Sequence, residues 1–345
     1  MDKCLMLAVA GSGKTTFLIN LLNTENRFLL VTYTRNNHEH LRRSIIKKFG
    51  YIPEKIKVLT FFQFLYSFCF KPFCGFKMKT RGICFDYPQD WTRYHPGEEV
   101  FYKTQSGRIF SNRIAHFCRE HCVENIKDRI DKYYDYFLID EVQDIAGHDF
   151  NLLLSIIPHT CNTIFVGDYF QHTFDTSNDG NVNSSLYKNY RKYLKRWKDE
   201  GVTIDLNTLS KTHRCSNEIC NFVRNMGIEI ESTGESQGNV VVLDNAQDVD
   251  AIVNDDSIPK LFLSESSNYR CISMNWGASK GIDSFMDVCV VLNKNTLSLF
   301  LRGELANLKS VSKNKLYVAC TRAHRHLYIT DYRFLEKYKK ESRLQ

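Results

Sequence analysis

The sequence lacks any apolar run near the roughly 18 residues that a membrane-spanning helix needs. It also lacks a signal-peptide layout, because Met1, Asp2 and Lys3 lead straight into a short apolar stretch. No internal repeat and no low-complexity tract is visible. From these absences we expect neither a fibrous repeat nor a membrane partner, and we predict a cytoplasmic location for the chain.

What is present is an ordinary globular composition in a chain of 345 residues, with 43% hydrophobic and 25% charged residues. A prior of about 150 residues per domain indicates two domains and room for a small insertion. The net charge of +7 is a mild bias toward polyanions. With 24 Phe and 18 Tyr, the chain also has aromatic side chains on which bases can stack, although most of these belong to the core.

The twelve cysteines are expected to be reduced thiols, because disulfide frameworks belong to small secreted domains. One grouping along the chain carries the thiol and imidazole groups that bind zinc or an iron–sulfur cluster: Cys69, Cys74, Cys84, Cys118, His121 and Cys122. Its spacing matches no tight C-x-x-C pair. The alternative interpretation is that these cysteines are small buried apolar side chains.

Short apolar runs, each followed by polar or helical sequence, predict an α/β fold with two parallel sheets joined near residue 200. The strands predicted for the first sheet are 5–10, 28–34, 57–61, 136–140 and 162–166. Those predicted for the second sheet are 240–243, 260–264, 287–292 and 326–330. Residues 71–125 have little strand periodicity, and they are interpreted as a small inserted subdomain.

A glycine-rich loop lies between the first predicted strand and a predicted helix, in the segment AVAGSGKTT at 8–16. Backbone N–H groups in such a loop point at phosphate oxygens, and the positive end of the helix adds to this attraction. Lys14 would reach the β- and γ-phosphates of ATP, and Thr15 would hold Mg²⁺. The predicted nucleotide-binding residues of this loop are Gly11, Ser12, Gly13, Lys14, Thr15 and Thr16.

Two further segments place polar side chains at the carboxyl ends of predicted strands, where open α/β sheets bind their ligands. In FLIDEVQD, 137–144, Asp140 would hold Mg²⁺, and Glu141 would orient and deprotonate the attacking water. In VGDYFQ, 166–171, Gln171 is placed to sense the γ-phosphate. These segments predict a nucleoside triphosphatase.

In this order the motifs resemble those of the UvrD/Rep-type superfamily 1 helicases. Eight elements follow the order of the family: AGSGKT (10–15), VTYTRNN (31–37), LTFFQF (59–64), IDEVQD (139–144), VGDYFQ (166–171), LSKTHR (209–214), ASKGID (278–283) and LYVACTRA (316–323). The resemblance implies two RecA-like P-loop NTPase domains, with ATP in the cleft between them and single-stranded DNA across their top. The N-terminal domain would comprise 1–70 and 126–200, with 71–125 as a reduced insertion in it. The C-terminal domain would comprise 201–345.

The resemblance also implies roles for residues outside the phosphate loop. Arg214 and Arg322 would be arginine fingers, and Lys280 and Gly281 would couple the nucleotide to DNA. The implied DNA contacts are Thr32, Tyr33, Thr34, Arg35, Thr60, Phe62, Phe64, Phe174 and Trp276. Among these, Thr176 stands where the family has its stacking tryptophan, so Trp276 would either replace that tryptophan or belong to the core.

The sequence therefore predicts an ATP-dependent, Mg²⁺-requiring translocase or helicase on single-stranded DNA, with the 3′ to 5′ polarity of the family. Only 65 residues lie between Arg214 and Lys280, where large members insert a whole accessory domain, so unwinding by the chain alone is expected to be weak. The alternative is a DNA-stimulated ATPase that regulates a partner nuclease in phage defence or DNA repair. A catalytically silent binding module is disfavoured by the intact Lys14, Asp140 and Glu141.

Overall fold

The computed structural model describes residues 2–86, 94–173 and 182–340, and the chain divides into two compact units. The N-terminal unit consists of the described residues within Met1–Met6, Lys14–Gly167 and Asp175–Asp205. The C-terminal unit consists of the described residues within Leu7–Gly13, Asp168–Phe174 and Leu206–Gln345. The long C-terminal segment begins at Leu206, close to the junction expected near residue 200. Residues 71–125 fall inside the N-terminal unit.

The N-terminal unit is built on parallel strands interleaved with helices. Its strands are β1 (Lys3–Leu7), β2 (Phe28–Thr32), β3 (Ile56–Thr60), β4 (Gly82–Cys84), β5 (Arg108–Phe110), β6 (Tyr136–Asp140), β7 (Asn162–Gly167) and β8 (Thr203–Asp205). Its helices are α1 (Lys14–Leu21), α2 (Arg35–Phe49), α3 (Phe61–Gln63), a π-helix (Phe64–Gly75), α4 (Glu99–Tyr102), α5 (Ile114–His121), α6 (Val123–Tyr133), α7 (Gly147–Ser155) and α8 (Tyr190–Asp199).

The main sheet of this unit has the strand order β3-β2-β6-β7-β1-β8, and its pairs β2–β3, β2–β6, β6–β7 and β1–β8 are parallel. Strand β2 is buried at all five positions. Such a continuous apolar strand fits a sheet with both faces covered. This arrangement brings the carboxyl ends of β1 and β6, and so the two motifs that follow them, to one edge of the sheet.

Residues 71–125 contain two short parallel strands, β4 and β5, which the sequence pattern did not show. Four of the six grouped metal-ligand candidates are buried: Cys69 and Cys74 in the π-helix, Cys118 in α5, and Cys122 directly after α5. Within the described part of the chain, no group of three or more His, Cys, Asp or Glu side chains is arranged to hold a metal ion. The structure thus favours the interpretation of these four cysteines as buried apolar side chains.

The C-terminal unit contains a second parallel sheet, of order β11-β15-β14-β12-β13. The strands of this unit are β9 (Lys211–Thr212), β10 (Glu231–Ser232), β11 (Val240–Leu243), β12 (Lys260–Phe262), β13 (Ser273–Asn275), β14 (Val288–Leu292) and β15 (Leu327–Asp331). Strands β9 and β10 form a separate two-stranded sheet. The helices of this unit are α9 (Asn217–Arg224), α10 (Ala246–Val253), α11 (Lys294–Leu301) and α12 (Ser310–Cys320). Its main core includes β14, α12 and Trp276. Both sheets confirm the predicted α/β class.

Polar caps fix where several helices begin. In each case the side chain of the residue before the helix accepts a hydrogen bond from a backbone N–H of the first turn, which otherwise has no partner. The capping residues are Thr34 for α2, Asn189 for α8, Ser216 for α9, Asn245 for α10 and Asn293 for α11. Among the helices of the described residues, none combines the length and apolar character that crossing a membrane requires.

Candidate active site

The phosphate loop depends on glycine at two positions. Gly11 and Gly13 have φ angles of 71° and 81°, in the left-handed region that favours glycine. A Cβ atom on Gly11 would also lie 2.6 Å from the Cβ of Arg214 and 2.7 Å from Oγ1 of Thr212. No larger residue fits there without displacing these neighbours. The glycines of AGSGKT therefore shape the loop itself as well as leave room beside it.

The residues after the loop lie beside the acidic pair in the N-terminal unit. Helix α1 begins at Lys14, whose buried ammonium lies 3.9 Å from Oε1 of Glu141. Oγ1 of Thr15 lies 3.4 Å from Oδ2 of Asp140. A hydroxyl and a carboxylate oxygen side by side are the ligands that Mg²⁺ takes in phosphate-transfer sites, so Thr15 and Asp140 fit the predicted metal. Thr16 is exposed on the same helix.

Asp140 and Glu141 differ in burial and backbone conformation. Asp140 ends β6 and is 2% exposed, and burial together with the charge of Glu141 raises the pKa of its carboxyl group. The Lys14 ammonium acts in the opposite direction and favours the carboxylate. Glu141 has φ 55° and ψ 42°, a left-handed conformation that is uncommon for a residue with a side chain and typical of functional sites.

Gln143 is a contributor that the motif comparison did not single out as a site residue. It is completely buried, and its side-chain amide donates to the Glu141 carboxylate. A Cβ on Gly167, at the end of β7, would lie 2.4 Å from Oε1 of Gln143 and 2.9 Å from Cγ1 of Val142. Gln143 is thus packed between Glu141 and the backbone of Gly167, which orients the acidic side chain. Its position inside IDEVQD was the available signal.

Gln171 lies in the C-terminal unit, and its side chain is only 4% exposed. Its side-chain amide donates to Oδ2 of Asp168 at 2.8 Å, and the Asp168 carboxylate also accepts from the backbone N–H of Phe170 at 3.1 Å. Asp168 was not predicted as a site residue. It holds Gln171 in one orientation at the end of the segment that follows β7.

The two predicted arginine fingers are held near each other by hydrogen bonds in the C-terminal unit. Arg214 forms an ion pair with Asp283, with 2.6 Å between Nη2 and Oδ1, and donates to the carbonyl of Thr321 at 3.1 Å. Arg322 is 3% exposed and donates to the carbonyl of Ile282 at 3.1 Å. Burial and the charge of Arg214 lower the pKa of Arg322 to about 10, so it remains a cation at neutral pH.

The segment ASKGID begins within the short 3₁₀ helix Trp276–Ser279, and Lys280 is the first residue after that helix. Lys280 is half-buried, and Gly281 is exposed with φ 81°. The positive φ explains why glycine follows the lysine at this turn. Asp283, two residues later, is the ion-pair partner of Arg214, so this segment contacts one of the predicted arginines directly.

Several predicted nucleic-acid contacts are accessible in the N-terminal unit. Thr34 and Arg35 are exposed, and Tyr33, Thr60 and Phe62 are half-buried. Both threonines cap helices, because Thr34 accepts from the backbone of residue 37 and Thr60 from that of residue 63. Each hydroxyl still has its own proton to donate to a phosphate. These five residues are compatible with the predicted surface.

Three predicted contacts are wrong. Thr32, Phe64 and Trp276 are completely buried and reach no surface. Thr32 belongs to the interior strand β2, Phe64 stacks on Phe68 in the core, and the indole N–H of Trp276 donates to a backbone carbonyl of β12. Phe174 lies outside the described residues.

Comparison with known families supports this arrangement of motifs. The AAA domain family model matches residues 1–175, and the model of the viral superfamily 1 RNA helicase core domain matches residues 119–331. The second match alone covers more than half of the chain. The chain belongs to the superfamily 1 helicases. This is a family of enzymes driven by hydrolysis of nucleoside triphosphates.

A solved structure of a viral helicase has a fold similar to that of this chain. Arterivirus nonstructural protein 10, a helicase solved in complex with DNA, aligns with a TM-score of 0.50 and 15% identity over 96% of this chain and 63% of that chain. A second crystal structure of arterivirus nonstructural protein 10 aligns with a TM-score of 0.48 and 15% identity over 96% of this chain and 62% of that chain. The PRRSV helicase aligns with a TM-score of 0.46 and 13% identity over 97% of this chain and 54% of that chain. This helicase therefore spans less than two thirds of their length. No curated protein sequence matches it.

Proposed function

We propose that the protein is an ATP-driven, Mg²⁺-dependent motor of the UvrD/Rep type that moves along single-stranded DNA in the 3′ to 5′ direction. One observation carries the proposal: Lys14 and Thr15 follow the phosphate loop and lie beside Glu141 and Asp140, respectively, with 3.4 Å between the Thr15 hydroxyl and the Asp140 carboxylate. Lys14 and the loop amides would bind the phosphates, and Thr15 with Asp140 would hold the metal ion.

The remaining polar residues have roles in hydrolysis in this proposal. Glu141 acts as the base for the attacking water, because its carboxylate is oriented by Gln143 and belongs to the same edge of the sheet as the metal ligands. Gln171, Arg214 and Arg322 sense the γ-phosphate and stabilise charge on it in the transition state. Lys280 and Gly281 couple this chemistry to the nucleic acid.

DNA as the substrate is supported by charge and by accessible aromatic residues. The net charge of +7 favours a polyanion, and Tyr33 and Phe62 offer rings on which bases of any sequence can stack. The similar arterivirus helicase was solved with DNA, whereas the matching family model is described as an RNA helicase core. Single-stranded RNA is therefore the comparison substrate in the test.

The short distance along the chain between Arg214 and Lys280 supports a compact motor. Only 65 residues lie between Arg214 and Lys280 in the second proposed domain, 201–345. The first proposed domain, 1–70 with 126–200, carries only the short insertion 71–125. Neither insertion point leaves much room for an accessory domain. We therefore expect faster translocation on single strands than displacement of a tailed duplex.

ATP hydrolysis by the purified protein, with and without single-stranded DNA or RNA, tests the proposal. We expect stimulation by DNA, loss of hydrolysis in Lys14→Ala, and wild-type hydrolysis in Lys294→Ala, which removes an exposed lysine on α11. Strand displacement is then compared on duplexes with 3′ and 5′ single-stranded tails. If neither nucleic acid changes the rate of hydrolysis, the protein is not a nucleic-acid motor. If RNA stimulates hydrolysis more than DNA does, the proposed DNA substrate is wrong. If only duplexes with 5′ tails are displaced, the proposed 3′ to 5′ polarity is wrong.

A further inference from the structure

Tyr317 lies within α12 and is completely buried, yet its hydroxyl has two polar partners in the C-terminal unit. It donates to Oδ2 of Asp168 at 2.8 Å and accepts from the backbone N–H of Ala10 at 2.8 Å. Burial and the Asp168 carboxylate raise the pKa of Tyr317, so the hydroxyl keeps the proton that it donates. One hydroxyl thus joins α12 to the residue that precedes Gly11 of the phosphate loop.

The Asp168 carboxylate links Tyr317 to Gln171. Asp168 is 1% exposed, and the same oxygen, Oδ2, accepts both the Tyr317 hydroxyl and the Gln171 amide at 2.8 Å. A buried carboxylate is positioned by the donors that surround it, because leaving it without them is costly. Removing the Tyr317 hydroxyl therefore changes the position or the charge state of the group that orients Gln171.

Helix α12 contacts the same segment at a second point. The side-chain amide of Asn314, one turn before Tyr317, donates to the carbonyl of His172 at 2.9 Å. The segment Asp168–His172 is thus held by α12 on both sides of Gln171. A phenylalanine at position 317 would fill nearly the same volume, but it would remove the acceptor of the buried Ala10 N–H and one of the donors to Oδ2 of Asp168.

We propose that Tyr317 is a positioning residue for nucleotide hydrolysis, which orients Gln171 through Asp168 while it fixes the start of the phosphate loop at Ala10. The inference rests on the proposed function, in which Gln171 senses the γ-phosphate. The two partners of the hydroxyl, the Ala10 N–H and the Asp168 carboxylate, are not among the proposed nucleotide-binding residues, which are Lys14 and the loop residues from Gly11 onward. The hydroxyl consequently contributes more to the rate of hydrolysis than to affinity for ATP.

The test is steady-state hydrolysis by Tyr317→Phe in the full chain with saturating single-stranded DNA. We expect kcat to fall about 10- to 100-fold while KM for ATP changes less than about 3-fold, because an orienting contact is lost without a binding group. Tyr338→Phe is the matched control, since the Tyr338 hydroxyl also donates to an aspartate, Asp250, at 2.7 Å and lies outside every motif. It is expected to keep the wild-type kcat.

A double variant separates positioning from a merely structural effect. If Tyr317 acts through Gln171, Tyr317→Phe lowers kcat much less in a Gln171→Ala background than in the wild type. Equal losses in both backgrounds would overturn the inference. Should Tyr317→Phe fail to fold, Asp168→Asn is measured instead, and a wild-type kcat in that variant would equally overturn it. A wild type without DNA-stimulated hydrolysis would instead refute the proposed function.

Discussion

At the scale of single residues, the contrast between Asp140 and Glu141 separates metal binding from proton transfer. Asp140 is 2% exposed and paired with Thr15, whereas Glu141 is more accessible and is oriented by Gln143. A glutamine at position 141 keeps the shape of the side chain but cannot accept a proton from water. The two carboxylates can therefore be tested independently.

We expect Glu141→Gln to bind ATP with an affinity close to that of the wild type and to lose hydrolysis by about 10²- to 10⁴-fold. Nucleotide binding is measured by titration with a fluorescent ATP analogue, and turnover by phosphate release. The control is Glu54→Gln, which changes an exposed glutamate in the loop between α2 and β3. Turnover in Glu141→Gln equal to that of the control would contradict the role of Glu141 as the base.

The sequence predicted the phosphate-binding and metal-binding residues better than the residues that contact DNA or orient Glu141. Thr15 and Asp140 were expected together, and they lie 3.4 Å apart, because Asp140 ends β6 and Thr15 follows β1 of the same sheet after the phosphate loop. Thr32, Phe64 and Trp276 were assigned to a surface from their motif positions. Their burial depends on distant segments that pack over them, which a local pattern does not contain. Gln143 was missed for the same reason, since its role depends on packing against Gly167.

At the scale of elements, the end of β7 sets the position of the segment after β6. Gly167 contacts the side chain of Gln143 so closely that a methyl group there would lie 2.4 Å from Oε1. Because Gln143 is completely buried and orients Glu141, it has no free space into which to move. A displacement at the end of β7 therefore moves Gln143, and with it the Glu141 side chain that follows β6.

Gly167→Ala is expected to lower the free energy of unfolding by about 1–3 kcal/mol through overpacking and to reduce kcat through displacement of Gln143. Urea unfolding and phosphate release measure the two effects. The control is Gly97→Ala, because a Cβ on Gly97 meets no atom within 4 Å. If both variants unfold at the same urea concentration and hydrolyse ATP equally, the proposed link between β7 and Glu141 is wrong.

The contact between α5 and α7 makes stability depend on pH. The rings of His116 and His148 have centroids 4.6 Å apart, and burial, followed by the charges of His116, Arg113 and Arg119, lowers the pKa of His148 to about 4. In the unfolded chain the histidine has its ordinary pKa of about 6.5. As the pH falls from 6.5 to 4, the unfolded state therefore binds a proton that the folded state does not, and stability is lost.

We expect His148→Gln to lose less stability than the wild type between pH 7.5 and pH 5.0, by about 1 kcal/mol once the partial exposure of the ring is taken into account. Urea unfolding at both pH values gives the difference. His40→Gln changes an exposed histidine of α2 and should follow the wild-type dependence. A parallel pH dependence of His148→Gln and the wild type would show that His148 is not the titrating group.

At the scale of the whole molecule, the order of strands and helices was largely predictable. The predicted strands 136–140 and 240–243 coincide with β6 and β11, because both are continuous apolar runs bounded by polar residues. Strand β6 is buried at four of its five positions, whereas β11 lies at the edge of its sheet and is buried only at Leu243. Strands β8 and β13 were not predicted, since each has three residues with little or no burial and gives no periodic signal. Strand β1 ends earlier than predicted because the apolar residues Val9 and Ala10 pack in the core of the C-terminal unit.

The net charge of +7 bears on how the whole molecule binds nucleic acid, and Arg35 offers a local test of it. Arg35 is exposed at the start of α2, beside Thr34, where it is proposed to contact a phosphate. Such a contact carries no base information, so affinity should fall steeply with salt and vary little with sequence.

Arg35→Ala is expected to weaken binding to all single-stranded DNA sequences alike and to reduce the slope of log K against log salt by about one. Fluorescence anisotropy with homopolymeric and mixed oligonucleotides at several salt concentrations measures both quantities. Lys294→Ala removes the same charge from the exposed start of α11 in the C-terminal unit and should leave the slope unchanged. Equal changes in the two variants would mean that net charge, and not a phosphate contact at Arg35, determines binding. A strong preference for one base would show that edges of the bases are read, which stacking on Tyr33 and Phe62 does not provide.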